Sequence, residues 1–179
     1  YRGDTLSGIG RARIGPMRAL DGKPLTRRRD RDAEAIAIET GGPGNGVALV
    51  AFENNRRIGR FPLGSGGLGT PSSYLTLPRD VRALGGNKSL ESVAALAGGR
   101  HRGAIVAFAE RTGNGEGDHT GWLIRGKGAE MLRLEGIGGY DLSDVAALPD
   151  GGLIVLERRF RWTEGVHMRL RRLKADEIA

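Results

Sequence analysis

The chain contains no cysteine, few aromatic residues and no long hydrophobic run, and each absence removes a class of protein from consideration. With no cysteine among 179 residues, it can form neither a disulfide framework nor a thiolate metal site. No stretch approaches the roughly 18 consecutive apolar residues of a membrane-spanning helix, so no membrane span is predicted. Aromatic residues make up only 5% of the chain, and they form no run on which bases could stack. We therefore expect no specific binding of nucleic acid.

Common catalytic motifs are absent as well. The sequence has no Gly-x-Ser-x-Gly elbow, no P-loop, no His-Glu-x-x-His motif and no Rossmann fingerprint. Ser7, in Leu6-Ser7-Gly8, does not meet the elbow pattern. A serine-hydrolase triad is therefore unsupported, and no catalytic residue is assigned from motifs.

Glycine and positive charge are in excess. The 31 glycines show no collagen-like period, and they fit a chain of short strands separated by glycine turns. The net charge is +7, but most arginines stand beside acidic residues. We interpret this excess as a solvated basic surface, which favours anionic small molecules such as phosphate esters.

One strand pattern occurs three times along the chain. Each copy has a carboxylate, a short apolar segment, a glycine turn, a second apolar segment and a closing glutamate, and the copies span residues 32–53, 90–110 and 142–157. The second apolar segments, 47–52, 104–108 and 153–156, are continuous apolar runs, which indicates strands buried on both faces. A period of roughly 50 residues built from strands is typical of propeller blades. The sequence therefore predicts an all-β, β-propeller-like fold.

The number of copies limits the architecture. Propellers close with about four to eight blades, whereas three copies occupy nearly all of this chain. We expect residues 1–179 to form a single, partial propeller domain that the natural protein continues at both ends, or half of a propeller.

The repeats resemble a known family. The matching segments are residues 32–37, 87–96, 121–124 and 144–160, the last ending in Glu157-Arg158-Arg159-Phe160. They are similar to the family named for the esterase-like activity of phytase. This resemblance implies a β-propeller-like domain in an exported, periplasmic or secreted protein that hydrolyses phosphate esters or other esters.

Carboxylates at the start of each copy are candidate metal ligands. Glu34, Glu91 and Asp144 are interpreted as equivalent positions that form a ring around the propeller axis. Asp30, Asp32 and Glu34 alternate, so in a strand they would share one face. Carboxylates confined together need cations, hydrogen bonds or protons, and calcium prefers such oxygen ligands. The alternative is that these carboxylates accept backbone N–H bonds from the next blade or pair with arginines.

Basic residues near the copies are candidate ligands for a phosphate. The closing glutamates Glu53, Glu110 and Glu157 have arginine neighbours, and Arg–carboxylate pairs between blades are their ordinary role. Arg158 and Arg159 occur in one copy only, and a substrate site usually breaks the symmetry of a repeat. Together with Lys88, they are the predicted substrate-binding residues.

Two functional hypotheses follow. The first is a calcium-assisted hydrolase of phosphate esters, in which carboxylates hold the ion and basic residues hold the ester. The alternative is a non-catalytic propeller that binds an anionic ligand or a protein partner at its axis.

Overall fold

Twelve β-strands make up most of the structure, a computed structural model that describes residues 14–83, 90–109 and 117–178. The strands are β1 Ala33–Thr40, β2 Asn45–Phe52, β3 Arg57–Gly64, β4 Gly67–Leu68, β5 Ser73–Tyr74, β6 Leu90–Ala95, β7 Ile105–Ala109, β8 His119–Arg125, β9 Gly128–Leu134, β10 Asp141–Ala147, β11 Leu153–Arg161 and β12 Gly165–Leu173. A 3₁₀ turn at Arg28–Asp30 and a short helix, α1, at Arg79–Ala83 are the helical elements of the described residues. None of the helical segments in these ranges is long and apolar enough to cross a membrane. The predicted all-β class is confirmed.

The strands form three antiparallel sheets that follow the order of the chain. The first sheet is β1-β2-β3-β4, with β5 paired to β3; the second is β6-β7-β8-β9; the third is β10-β11-β12. Each of the three sequence copies supplies the first two strands of one sheet. Sequential strands pair as neighbours because short connections, such as those of two to four residues after β1, β2, β8 and β11, permit only antiparallel return.

Two apolar layers join the sheets, and the second sheet contributes to both. One layer packs side chains such as Leu49, Ile58 and Trp122 between the first and second sheets. The other packs Phe108, Leu132 and Val155 between the second and third sheets. Because β7 contributes side chains to both layers, its continuous apolar run is explained by burial on two faces. The first strands of the sheets also lie side by side, since β1 and β10 both contact β6.

A β-bulge occurs at the same place in each sheet. The register shift falls at Glu34 in the first sheet, at Glu91 in the second and at Ser143 in the third. A bulge inserts one extra, unpaired residue into a strand, so these three residues are structurally equivalent. The predicted equivalence of Asp144 with Glu34 and Glu91 is therefore wrong by one residue. Asp144 corresponds to Ser92, as a direct comparison of the segments beginning at Leu90 and Leu142 also indicates.

Glycine permits close approach where the turns of the second and third sheets meet. A Cβ atom on Gly98 would lie 2.0 Å from the carbonyl oxygen of Pro149. In turn, Gly151 has a φ of +89° and would place a Cβ 2.7 Å from the Gly98 oxygen. The two turns can therefore contact through backbone atoms only because neither position carries a side chain.

Candidate functional site

Three carboxylates converge where β1 begins and β2 ends. Antiparallel pairing places Ala33 opposite Phe52, so the residues next to this pair meet at one end of the first sheet. The Glu53 N–H donates to the Asp32 carbonyl oxygen at 2.9 Å. Carboxylate oxygens of Asp32, Glu34 and Glu53 all lie within 4.8 Å of one another. We refer to these three residues as the carboxylate cluster.

The carboxylate cluster holds its negative charge at an energetic penalty. Partial burial raises the pKa of Glu34, and the charges of Glu91 and Asp32 raise it further. Partial burial also raises the pKa of Glu53, with additional contributions from the charge of Asp32 and from a hydrogen bond to that residue. Neighbouring like charges and lost hydration both disfavour the ionised form. A cation or a proton at this position would therefore relieve the repulsion.

The geometry of the carboxylate cluster fits a hard cation. Calcium takes oxygen ligands at about 2.3–2.6 Å, so ligand atoms around one ion are at most about 5 Å apart. The separation of up to 4.8 Å within the cluster meets this limit. Carboxylates are also the ligand type that calcium prefers. Asp32, Glu34 and Glu53 could accordingly hold a divalent metal ion.

Asp30 does not belong to the carboxylate cluster. It lies in the 3₁₀ turn at Arg28–Asp30, so the expectation that it shares a strand face with Asp32 and Glu34 is wrong. Its carboxylate accepts a hydrogen bond from the side chain of Asn55, and its carbonyl oxygen accepts one from Arg57. These contacts fasten the 3₁₀ turn to the β2–β3 turn. Asn54, in the same turn, donates to the Asp32 carboxylate.

The other two predicted metal ligands differ in their distance from the carboxylate cluster. Glu91, at the bulge of β6, is close enough for its charge to raise the pKa of both Glu34 and Glu53. Asp144 instead accepts a hydrogen bond from the Val145 N–H at 2.8 Å. It lines a cavity of about 450 Å³ between β1, β6 and β10, whose walls include Ile36, Ile38 and several alanines. Asp144 is therefore part of the cavity wall. A metal-binding role for the five residues named from the sequence (Asp30, Asp32, Glu34, Glu91 and Asp144) stays a prediction.

The third sheet breaks the acidic pattern at the same end of the strands. Ser143 occupies the bulge position that Glu34 and Glu91 occupy in the other two sheets. Glu157 is equivalent to Phe52, so the next residue, Arg158, is equivalent to Glu53. Arg158 is exposed to solvent and lies opposite Asp141 in the pairing of β10 with β11. A hydroxyl and a guanidinium thus replace two carboxylates in the third sheet.

Arg159 is engaged within the third sheet. It donates to the Glu164 carboxylate at 2.7 Å and to the Gly138 carbonyl at 3.1 Å, and it stacks on the Tyr140 ring. Its guanidinium therefore serves an internal network, which weakens its predicted role as a phosphate ligand. Lys88, the third predicted ligand, and Glu110 lie outside the described residues.

Glu157 forms the predicted arginine pair, but with different partners. Its buried carboxylate accepts hydrogen bonds from Arg169 at 2.7 Å and from Arg171 at 2.8 Å. Both arginines belong to β12 of the same sheet, so the expected pairing between blades is wrong for this residue. They also bond the carbonyl oxygens of Ile137 and Glu135. The network therefore anchors the segment that leads into β10.

Glu53 is the member of the carboxylate cluster that the sequence does not predict as a candidate metal ligand. Its sequence neighbours Arg56 and Arg57 favour an interpretation as an arginine partner. The antiparallel pairing of two successive strands could have indicated that Glu53 lies beside Asp32. The residue after the second strand of a hairpin lies beside the residue before the first, which here is Asp32.

Comparison with known proteins gives one family. The family model described as "Phytase-like: Esterase-like activity of phytase" matches residues 1–179. No curated protein and no solved structure matches the chain significantly.

Proposed function

The chain belongs to the phytase-like family named for the esterase-like activity of phytase, and from this premise we propose that it hydrolyses phosphate esters with the help of a calcium ion. The observation that carries the proposal is the convergence of Asp32, Glu34 and Glu53 within 4.8 Å of one another. The raised pKa values of Glu34 and Glu53 support it, because burial and the neighbouring carboxylates both disfavour the ionised form that a bound cation would stabilise.

In this proposal the carboxylates hold the cation and the basic residues hold the phosphate ester. Asp32, Glu34 and Glu53 hold the cation, and Glu91 adds negative charge from the neighbouring sheet. Bound there, calcium would neutralise the charge of the phosphate and polarise water. Arg158 binds a phosphoryl oxygen, since its guanidinium is exposed and stands at the position that carries Glu53 in the first sheet. Lys88 is retained as a second ligand of the phosphate by prediction.

We also propose that the three sheets are consecutive blades of a β-propeller. Three meandering antiparallel sheets stacked through apolar faces, with their first strands side by side, support this arrangement. The partial domain, the anionic ester as ligand and the periplasmic or secreted location stay predictions from the repeats and the family resemblance.

The alternative function is a non-catalytic propeller that binds an anionic ligand or a protein partner. The cavity between β1, β6 and β10 favours it, because a volume of about 450 Å³ is large enough for a small molecule. Its lining is mainly apolar, with Asp144 as the one ionisable residue among those that the structure describes, so it offers binding surface with little catalytic chemistry.

Phosphate release from p-nitrophenyl phosphate and from inositol hexakisphosphate, with calcium or with EGTA, tests the proposal. We expect turnover only with calcium, and its loss in Glu53→Gln. Arg158→Gln should raise KM about tenfold, because a charged hydrogen bond contributes about 1.5–3 kcal/mol. Arg102→Gln, an exposed arginine in the β6–β7 turn, is the matched control and should leave KM unchanged. Absence of calcium-dependent turnover would overturn the hydrolase, and phosphate binding without turnover would establish the alternative.

A further inference from the structure

The β11–β12 hairpin projects beyond the strands of the first sheet. Glu157 stands in β11 where Phe52 stands in β2, and β2 ends at Phe52. In contrast, β11 continues for four more residues, to Arg161, and β12 returns from Gly165. Four residues of strand add about 13 Å. We call this projecting part, residues 158–168, the hairpin extension.

The hairpin extension exposes an unusual amount of apolar surface. Trp162 is 93% exposed, Val166 62%, Met168 58% and Phe160 55%. Phe160 lies opposite Val166, and Met168 lies opposite Arg158. Directly opposite residues of an antiparallel pair share a face, so these side chains form one continuous row. The Trp162 ring continues the row into the turn, where it packs edge-on against Phe160 with ring centres 5.3 Å apart.

The hairpin extension is also basic. It contains Arg158, Arg159 and Arg161 against a single acidic residue, Glu164, which gives a net charge of +2 with His167 neutral. Glu164 is shared between Arg159 and Arg161, while Arg158 lies within the apolar row. A second copy of the chain would place like charges against each other, so charge favours an anionic surface as the binding partner.

A further sheet packed on the third would cover the strand interior, where Leu170 is 69% exposed on the same face. The hairpin extension lies past the point at which β2 ends, so a sheet with strands as long as β2 would leave it uncovered. Exposed tryptophan at a tip, flanked by arginine, is instead the chemistry of a membrane interface. Tryptophan rings reside at the depth of the lipid headgroups, and arginines are attracted by anionic lipids. We propose that the hairpin extension binds the surface of an anionic lipid bilayer, with Trp162 and Phe160 inserted among the headgroups.

Flotation of the full chain with vesicles tests this proposal. Vesicles of phosphatidylcholine with phosphatidylglycerol should carry the protein upward at low salt, and vesicles of phosphatidylcholine alone should not. Trp162 emission should shift to shorter wavelength on binding, since the other tryptophan, Trp122, is only 2% exposed. Trp162→Ser should weaken the partition about tenfold or more, as expected for the loss of an inserted aromatic side chain. Arg158→Glu should weaken the partition roughly thirtyfold, because each cationic group near such a surface contributes about 1 kcal/mol and this change replaces an attraction with a repulsion of similar size.

Met131→Ser is the matched control, because Met131 is 63% exposed on β9 of the second sheet. This variant should bind vesicles as the wild type does. Failure of the wild type to float with anionic vesicles would overturn the proposal. So would equal binding by Trp162→Ser, or concentration-dependent self-association that Trp162→Ser abolishes, which would identify the hairpin extension as a protein contact.

Discussion

Glu34 in the first sheet lies close enough to Glu91 in the second that the Glu91 charge adds to the effect of burial in raising the pKa of Glu34. The two residues occupy the same bulge position of consecutive sheets, so the repeat itself brings their charges together. Arginine neutralises Glu157 inside the third sheet, whereas Glu91 adds a further negative charge near the carboxylate cluster. This contrast distinguishes Glu157, a structural carboxylate, from Glu53, a candidate ligand of a cation, although the two residues end equivalent copies of the sequence pattern.

Removing one charge from the carboxylate cluster should stabilise the protein when calcium is absent. For Glu34 and Glu53 the pKa is raised by folding, so near and above the ordinary carboxyl pKa the native state binds more protons than the unfolded state. Their contribution to the free energy of unfolding therefore falls as the pH rises through the raised values. Glu34→Gln should melt above the wild type by a few degrees at pH 7 in EGTA, and at the same temperature near pH 3.5. An equal difference at the two pH values, measured by thermal unfolding, would contradict this electrostatic explanation.

With calcium present, the wild type should instead melt above Glu34→Gln. A ligand that binds only the native state stabilises it by about 2.7 kcal/mol at 100 times its Kd. We therefore expect calcium to raise the melting temperature of the wild type at pH 7, with a much smaller rise in Glu34→Gln and Glu53→Gln. Asp144→Asn is the informative control, because Asp144 lies on the cavity wall and bonds Val145. If Asp144→Asn abolished the calcium response while Glu53→Gln kept it, the ion would bind elsewhere.

The sequence predicted the scaffold better than the candidate site, for a physical reason. Continuous apolar runs identify buried strands, and the predicted segment 47–52 lies within β2 at Asn45–Phe52. Bulges have no comparable signal, and a one-residue shift changes which side chains are equivalent, as with Ser143 and Asp144. The partners of Glu157 were missed because Arg169 and Arg171 come from a later strand, whose pairing brings them into contact. Neighbouring arginines in the sequence were a poor guide, since adjacent residues in a strand point to opposite faces.

Breaking the Glu157 pair should destabilise the fold. Its carboxylate is fully buried, and the side chains of Arg169 and Arg171 are only 30% and 18% exposed. Glu157→Ala would leave two half-buried guanidinium groups without their acceptor. We expect a loss of about 3 kcal/mol in the free energy of unfolding, at the low end for buried pairs because the arginines retain some solvent. Urea denaturation measures it.

Glu164→Ala provides the comparison for Glu157→Ala. Glu164 also accepts from two arginines, but it is 37% exposed. Surface ion pairs contribute at most about 1 kcal/mol, so this variant should unfold close to the wild type. Equal losses in the two variants would show that burial does not set the strength of the Glu157 network.

The contact between the turns of the second and third sheets should depend on Gly98. A Cβ there would lie 2.0 Å from the Pro149 carbonyl oxygen, a backbone atom that cannot rotate away. Gly98→Ala must therefore push the two turns apart, and overpacking of this kind costs about 1–3 kcal/mol. Gly66→Ala is the matched control, because a Cβ at Gly66 would have no atom within 4 Å, and its unfolding free energy should change by less than about 0.5 kcal/mol. Since the strain acts between sheets, Gly98→Ala should also increase hydrogen exchange at Leu153 and Val155, which pack against the second sheet. Exchange that rises only within residues 96–104 would mean that the turn distorts locally while the two sheets stay together.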